Sequence, residues 1–341
     1  MTTRLLLSVA LAAMAGTIGR ATENPATRRL PSAPLPARHY HPIQLVFLGL
    51  PVDSARLTAG GSWELSFAWA ETNTLASTSA RSETPLFFDL ETSRLAFGLR
   101  YGVSERWELS AELPFIYRWG GFLDPIIEEV ESAVDRLNPK RVDGPENVVR
   151  FVLARGSTPI FAFDDNEFGL GDTTLAARVR LAHVVSARER ATGTTLVSAR
   201  AAVKLPTGDE DELLGSGELD VGLGIDLTRE WSRWALYASA AVIVPGNPDW
   251  LVLETDPFWT AGTGFEYRWS PRSSLLAQLA HYQSAFDEGA LELTQDTYEL
   301  GLGVNIDLGG RLMLQVGGIE NLTVRPAADI SLITRLIWHV D

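Results

Sequence analysis

Tyr298-Glu299-Leu300-Gly301-Leu302-Gly303-Val304-Asn305-Ile306-Asp307-Leu308 is the stretch that decides the fold. Every even-numbered residue is a large hydrophobe or Tyr; every odd-numbered one is Gly, Asn or an acid. A repeat of two places the two sets on opposite faces of an extended strand. The same alternation recurs at Trp63-Leu65-Phe67-Trp69, Leu95-Phe97-Leu99-Tyr101, Leu219-Val221-Leu223-Ile225-Leu227 and Trp259-Ala261-Thr263-Phe265-Tyr267-Trp269.

Outward from that stretch, about twelve strands can be placed. They fall near 61–71, 90–102, 104–117, 169–184, 193–206, 217–228, 233–245, 256–270, 272–284, 296–308, 310–320 and 328–340. The gaps between them alternate short and long. Long dyad repeats, short turns on one side, long loops on the other and aromatic strand ends predict an all-β fold: a single antiparallel transmembrane β-barrel. With an even strand number both chain ends fall on the short-turn, periplasmic side. A soluble β-propeller or pair of sandwiches is the alternative architecture, but no blade-length repeat is visible.

The polar face supports a membrane barrel. It carries Gly and charges of both signs: Arg94, Arg100, Glu108, Glu112, Arg178, Arg180, Arg200, Lys204, Asp220, Glu266, Arg268, Glu299 and Arg335. Such a set cannot line a dry interior, but it can line a wet or ion-paired lumen.

Composition agrees. The chain has 341 residues, no Cys, 29 Gly and 10 Trp. No run after the first twenty or so residues is long and apolar enough for a transmembrane helix. Met1 to about Ala21 reads as a secretory signal, with Arg4, an apolar Leu5–Ala15 and a small-x-small site at Ala13-Met14-Ala15. Residues 22–60 read as a Pro-rich linker followed by a short N-terminal segment, and 61–341 as the barrel. Within the segment, 43–50 is apolar and fits either a small strand or a plug packed in the lumen. The net charge of −14 becomes about −16 once Arg4 and Arg20 leave with the signal. That sign argues against nucleic acid as a partner. The expected partners are outer-membrane lipid and lipopolysaccharide, the barrel-assembly machinery and a small solute. No cofactor is expected.

One long insertion, about 118–168, interrupts the pattern. Asp124 suits an N-cap, Pro125 the first helical position, and Glu128 and Glu129 the positive end of the dipole. Ile126, Ile127, Val130, Val134 and Leu137 recur at helical spacing, so an amphipathic helix is predicted over about 125–137. Such a helix either lies on the rim, its apolar stripe against other loops, or covers the lumen; the expectation is a cap, packing on Leu123, Phe151, Phe161 and Phe163. Short extra strands are compatible with 147–163.

Candidate chemistry is sparse. His281 and Ser284 lie three apart, hence on opposite strand faces, which disfavours a hydrolase pair. Asp209, Asp211 and Glu212 offer carboxylates for a divalent cation, but their spacing is not that of an EF-hand and a solvated loop explains them as well. His39-x-His41 alone is too little for a metal site.

The chain resembles a bacterial outer-membrane family, domain of unknown function 3187. The resemblance rests on Leu99-Arg100-Tyr101-Gly102-Val103-Ser104-Glu105-Arg106, Glu112-Leu113-Pro114-Phe115, Gly120-Gly121-Phe122-Leu123-Asp124, Gly169-Leu170-Gly171-Asp172, Leu205-Pro206-Thr207-Gly208-Asp209, Gly215-Ser216-Gly217 and Glu320-Asn321-Leu322 with Asp329. Some of these pieces are also similar to the outer-membrane barrel family of aromatic-degradation (MetA-pathway) systems. The resemblance implies an outer-membrane barrel, with a narrow channel for a small solute as the expected role; a closed structural or surface-binding barrel and an outer-membrane hydrolase are the alternatives. The family has no established activity to carry over. The C-terminus departs from the usual terminal Phe or Trp, since Trp338 is followed by His339-Val340-Asp341.

Overall fold

The computed structural model describes residues 33–78, 84–133, 147–188, 191–251, 253–323 and 330–340. The proposed signal lies outside them, as do Val134 and Leu137.

Fifteen strands form one antiparallel sheet. They are β1 (Trp63–Ser77), β2 (Leu86–Gly102), β3 (Trp107–Trp119), β4 (Arg150–Arg155), β5 (Thr158–Phe163), β6 (Glu167–Leu170), β7 (Thr173–Arg188), β8 (Ala191–Leu205), β9 (Asp220–Trp231), β10 (Trp234–Val244), β11 (Phe258–Arg268), β12 (Ser273–Tyr282), β13 (Thr297–Gly309), β14 (Leu312–Asn321) and β15 (Ile330–Val340). Twelve of them close the barrel, β1 pairing with β15 as well as β2. The three short strands do not enter the ring. β3 pairs directly with β7, while β4 continues its lane beside the far end of β2. The sequence-based exclusion of a further barrel strand in the insertion therefore stands.

Short turns gather at one end. In one of them Gly310 (φ 60°) and Arg311 (φ 72°) both take the left-handed conformation that a tight hairpin with native twist demands.

The faces follow the alternation. Phe97, Leu223, Phe265 and Leu302 are each about half or more exposed and form an apolar outer belt, with Trp63, Trp107, Trp234 and Trp338 at the short-turn end. Such a belt in water would be an aggregation hazard; in lipid it is solvated. The polar face points inward, and among the described residues Glu108, Arg178, Arg200, Lys204, Asp220 and Glu266 are all buried there.

The lumen is filled by the chain's own N-terminal segment. Residues 33–58 form a hairpin inside the barrel. The rising limb passes Asn305 and Gln315, whose amides donate to Ala33 O, then Gln278, which accepts from Leu35 N at 3.1 Å, then Tyr282, which donates to Ala37 O. A 3₁₀ turn, Gln44–Val46, forms the tip at the long-loop end. The falling limb passes Asp220 at Leu48, Ser239 at Asp53 and Thr228 at Ala55, and leaves beside Glu108 at Thr58. The described part of the Pro-rich linker, 33–42, thus lies inside the barrel, and 43–50 packs there as a plug. Prolines keep a strand-like backbone out of the surrounding sheet because they lack a donor. Here that makes Pro34, Pro36 and Pro51 suited to run inside the barrel without joining it.

Candidate functional site: the stoppered lumen

The wall is built to receive this hairpin. Leu35 drops into a cup where side chains are missing: a Cβ on Gly301, Gly303 or Gly317 would stand 3.0, 2.8 and 2.8 Å from its methyls. Gly222 faces Leu48 and Leu50 in the same way, and Gly262 faces Val52. The Gly half of the dyad repeat is thus a set of sockets for the plug's apolar side chains.

The charged half holds the plug's backbone and its single inner acid. Asp53 sits between Arg100 (2.7 Å) and Arg178 (2.5 Å). Arg178 also donates to Ser54 O, and Arg200 to Pro51 O at 2.6 Å while facing Asp226 at 3.3 Å. Glu108 accepts from Thr58 N at 2.6 Å. Buried charges are tolerated only when paired and hydrogen-bonded, and here the pairing crosses from wall to plug.

At the tip, Lys204 is the centre of a knot. Its ammonium donates to Val46 O (2.9 Å), to Asp172 (2.7 Å) and to Ser216 Oγ, with Asp220 at 3.4 Å. Asp172 in turn accepts from Gly208 N and Ser216 N, and Thr207 Oγ1 donates to Gly171 O. The motifs Gly171-Asp172, Pro206-Thr207-Gly208 and Gly215-Ser216 are therefore one structure that grips the plug tip. At the other end Gly102 packs where a Cβ would lie 2.0 Å from Ala59 O, and Glu105 accepts from Gly60 N. That motif clasps the plug where it becomes β1.

Over the tip lies an apolar lid. Val46 and Phe47 share a buried cluster with Phe88, Phe151, Leu213, Leu253 and Phe286. Phe151 stacks on Phe88 at 4.2 Å and on Phe163 at 4.9 Å. His39 and His41 sit beneath it. Each Nδ1 accepts a backbone N–H, from His41 and Ile43 respectively, so neither can take a second proton there without losing a bond. Burial pushes the His41 imidazole down to about 3.

The remaining candidates divide. Arg94 pairs with Glu112 (2.5 Å), Arg268 lies 3.8 Å from Glu266, and Arg335 lies 3.8 Å from Glu64. Glu299 is buried with Oε2 unpartnered. Arg180 stands beside a β7 bulge and reaches Glu105 of the short turn at 3.9 Å. All belong to the inner face, as the alternation predicts. Asp209, Asp211 and Glu212 are exposed, and Asp209 Oδ1 is used by Asp211 N. Among the described residues no group of three acids or histidines gathers as a metal site would require. The loop is held instead by Arg118, which donates to Glu212 O and Leu213 O. His281 contacts Asp296 at 3.0 Å and stacks on Trp259, while Ser284 Oγ donates to Leu293 O.

The helix, α1 (Asp124–Ala133), does not cap the lumen. Asn73 and Glu91 face the same way as Phe67 and Phe97, outward. Asn73 Nδ2 donates to Asp124 Oδ1 (3.0 Å), and Glu91 Oε1 accepts from Phe122 N and Leu123 N. The start of α1 is thereby pinned to the barrel's outer wall, with Ile127 buried and Ile126 half-buried; the side chain of Val130 is not described. Periodicity reveals that a helix has an apolar stripe, not which surface covers it. The capping role passes to the β4–β5 hairpin, whose Phe151, Phe161 and Phe163 are the phenylalanines expected beside the lumen mouth.

Sequence reasoning missed Asp53, Asp172 and the plug's Leu35 and Arg38. The signal available for Leu35 was the pairing of a Gly-rich inner face with an apolar N-terminal run; Asp172 stood in the Gly169-Leu170-Gly171-Asp172 motif without an assigned role, and Asp53 and Arg38 had no such signal.

The family profile for a protein of unknown function, domain of unknown function 3187, matches residues 12–338. The chain belongs to that family. No curated protein matches its sequence. Among solved structures it is similar to the COG4313 outer membrane channel from Pseudomonas putida F1, at 16% identity and a TM-score of 0.53, covering 85% of this chain and 100% of that one. It also aligns with the CymD monoaromatic hydrocarbon channel (10% identity, TM-score 0.36, 88% and 97% covered) and the P. putida toluene transporter TodX (9%, 0.35, 89% and 97%). The first likeness places the fold among outer-membrane barrels; the other two are too distant to carry an argument.

Proposed function

We propose that this protein is an outer-membrane channel for a small solute, stoppered by residues 33–58. The observation that carries the reading is how the stopper is seated. It is tethered through the short-turn end, and ionic and hydrogen-bonded contacts at Val46, Pro51, Asp53 and Thr58 hold it beside the apolar side chains seated in the glycine sockets. Polar contacts can be exchanged for water as a segment moves, so the hydrophobic cost of release falls on the seats of Leu35, Leu48, Leu50 and Val52 and on the cluster over the tip. The fold shared with a solved outer membrane channel supports the same reading. The filled lumen equally favours a second reading, a permanently closed structural barrel.

Conductance in planar bilayers separates the two. Ser54 Oγ and Thr228 Oγ1 are 3.3 Å apart across the plug–wall contact, and the chain has no native Cys. The Ser54→Cys/Thr228→Cys protein should conduct when reduced and lose conductance when oxidised. Removing 33–58 should raise conductance above that of the full chain. A barrel that stays silent without its plug is closed by other means, and the channel reading fails.

A further inference from the structure

We infer that a wet cavity between the plug and the β1–β2–β3–β15 wall is a binding station for a small organic carboxylate. The inference deepens the channel reading by naming a solute class, and rests on it only for the claim that the solute passes through.

The cavity measures about 100 Å³, room for several waters. It exists because the inward side chains of this wall are small: Ser66, Ala68 and Ala70 on β1 face Gly98 and Ala96 on β2. It is wet, since the inward-pointing Glu112 side chain is 43% exposed.

Four guanidiniums line it, from Arg38, Arg94, Arg100 and Arg335, against two carboxylates, Asp53 and Glu112. Their donors are unequally used. Asp53 and Glu112 take short bonds from Arg100 and Arg94. Arg335 finds its nearest carboxylate, Glu64, at 3.8 Å. Arg38 is 3.8 Å from Glu112 and its Nη2 donates to Leu45 O and Phe47 O, while its Nε is buried without a partner. A guanidinium offers five donors in a planar fork that matches a carboxylate. The Arg335 fork, left largely open beside water with positive charge in excess around it, favours an anion.

Apolar lining selects within anions. Pro34, Pro36 and Val52 of the plug and Ala96 and Ile333 of the wall present apolar surface to the cavity. An inorganic oxyanion gains nothing from that surface; the hydrocarbon part of a small organic acid does. The arginines also stand at different heights. By strand register Arg100, Arg335 and Arg94 lie opposite residues 64, 68 and 70 of β1. That spread is roughly 20 Å at the usual rise per residue, so positive charge extends along the wall on both sides of the open Arg335 fork.

The test is calorimetric titration of the full-length, detergent-solubilised protein with sodium butyrate, inorganic phosphate and butylammonium. Butyrate should bind saturably, phosphate more weakly and butylammonium not at all. Arg335→Gln should weaken butyrate at least about tenfold, the loss expected for one charge-assisted contact. Ala68→Phe, which fills the space and keeps every charge, should abolish binding in protein that still shows a folded, heat-modifiable gel band. No butyrate binding by the wild type, or equal binding by Arg335→Gln, overturns the site. Phosphate binding as tightly as butyrate overturns the organic part. Binding without conductance removes the channel and leaves the site; plug-dependent conductance without binding does the reverse.

Discussion

Two residues show how the surroundings set the consequence of a change. Phe265 faces outward and is about half exposed, whereas its neighbour Gly264 faces the lumen with Tyr237 and Gln278 at ordinary contact distance. Phe265→Arg should cost roughly 2–4 kcal/mol if the position lies near the bilayer midplane. Gly264→Ala should be nearly neutral, because a methyl fits there. Denaturant titration of the reconstituted barrel measures both, and equal effects would contradict the register. His41 is a second case. Its imidazole is held neutral, down to about 3 against an ordinary value of 6.5, by burial. A base whose folded value is depressed contributes nothing unfavourable above the unfolded value. Below it, seating the tip costs about 1.4 kcal/mol per pH unit until the folded value is reached. Proteolysis at 43–47 should therefore accelerate, and amide protection factors there should drop, as pH falls from about 6.5 toward 3. His41→Phe, unable to titrate, should flatten that dependence; an unchanged pH profile would show that another group controls the tip.

At the scale of elements the hairpin 33–58 and the strands that seat it act as one unit. Lys204 on β8 bonds both to the plug's Val46 carbonyl and to Asp172, and is buried with it. Removing one partner from a buried pair leaves an uncompensated charge and costs about 3–5 kcal/mol. Lys204→Met should loosen the tip knot far more than it alters the barrel. Amide exchange is expected to rise at 43–50 and around Gly208 and Ser216, with β11–β14 protection unchanged. Uniform loss of protection across the sheet would mean that the knot stabilises the barrel itself. The insertion gives the complementary lesson. Its helix start is recognisable from Asp124 and Pro125, and β4 and β5 from their apolar runs. Yet α1 binds the outer wall, where Asn73 and Glu91 hold its start, while β4–β5 lies at the mouth.

For the molecule as a whole, the apolar outer belt and polar, filled interior admit one solvent arrangement: lipid outside, plug and water inside. Fractionated cells should yield the protein in the outer membrane. It should also run faster on gels before boiling than after, as a closed barrel does. Recovery from the periplasm without detergent would sink the assignment. Closure rests on β1 pairing with β15 from Trp63–Val340 to Asn73–Ile330, so the first and last strands must both be in place before the ring exists. The plug precedes β1 in the chain and is enclosed by that closing step.

The sequence by itself determined the twelve barrel strands, their two faces and the end at which the long loops lie. These follow from a period of two and from turn chemistry, both local properties of the chain. It also placed Arg94, Arg100, Arg178, Arg335 and their companions on the inner face for the same reason. What the inner face does was decided only by the tertiary structure. Gly301, Gly303 and Gly317 read in sequence as lumen wall, but they became a socket for Leu35 only once residues some 260 or more positions away were brought beside it. Asp53 carried no local signal at all, and its role comes from two arginines on β2 and β7. A periodic pattern specifies direction within an element. Which partner fills that direction is a long-range contact, and no local pattern encodes it.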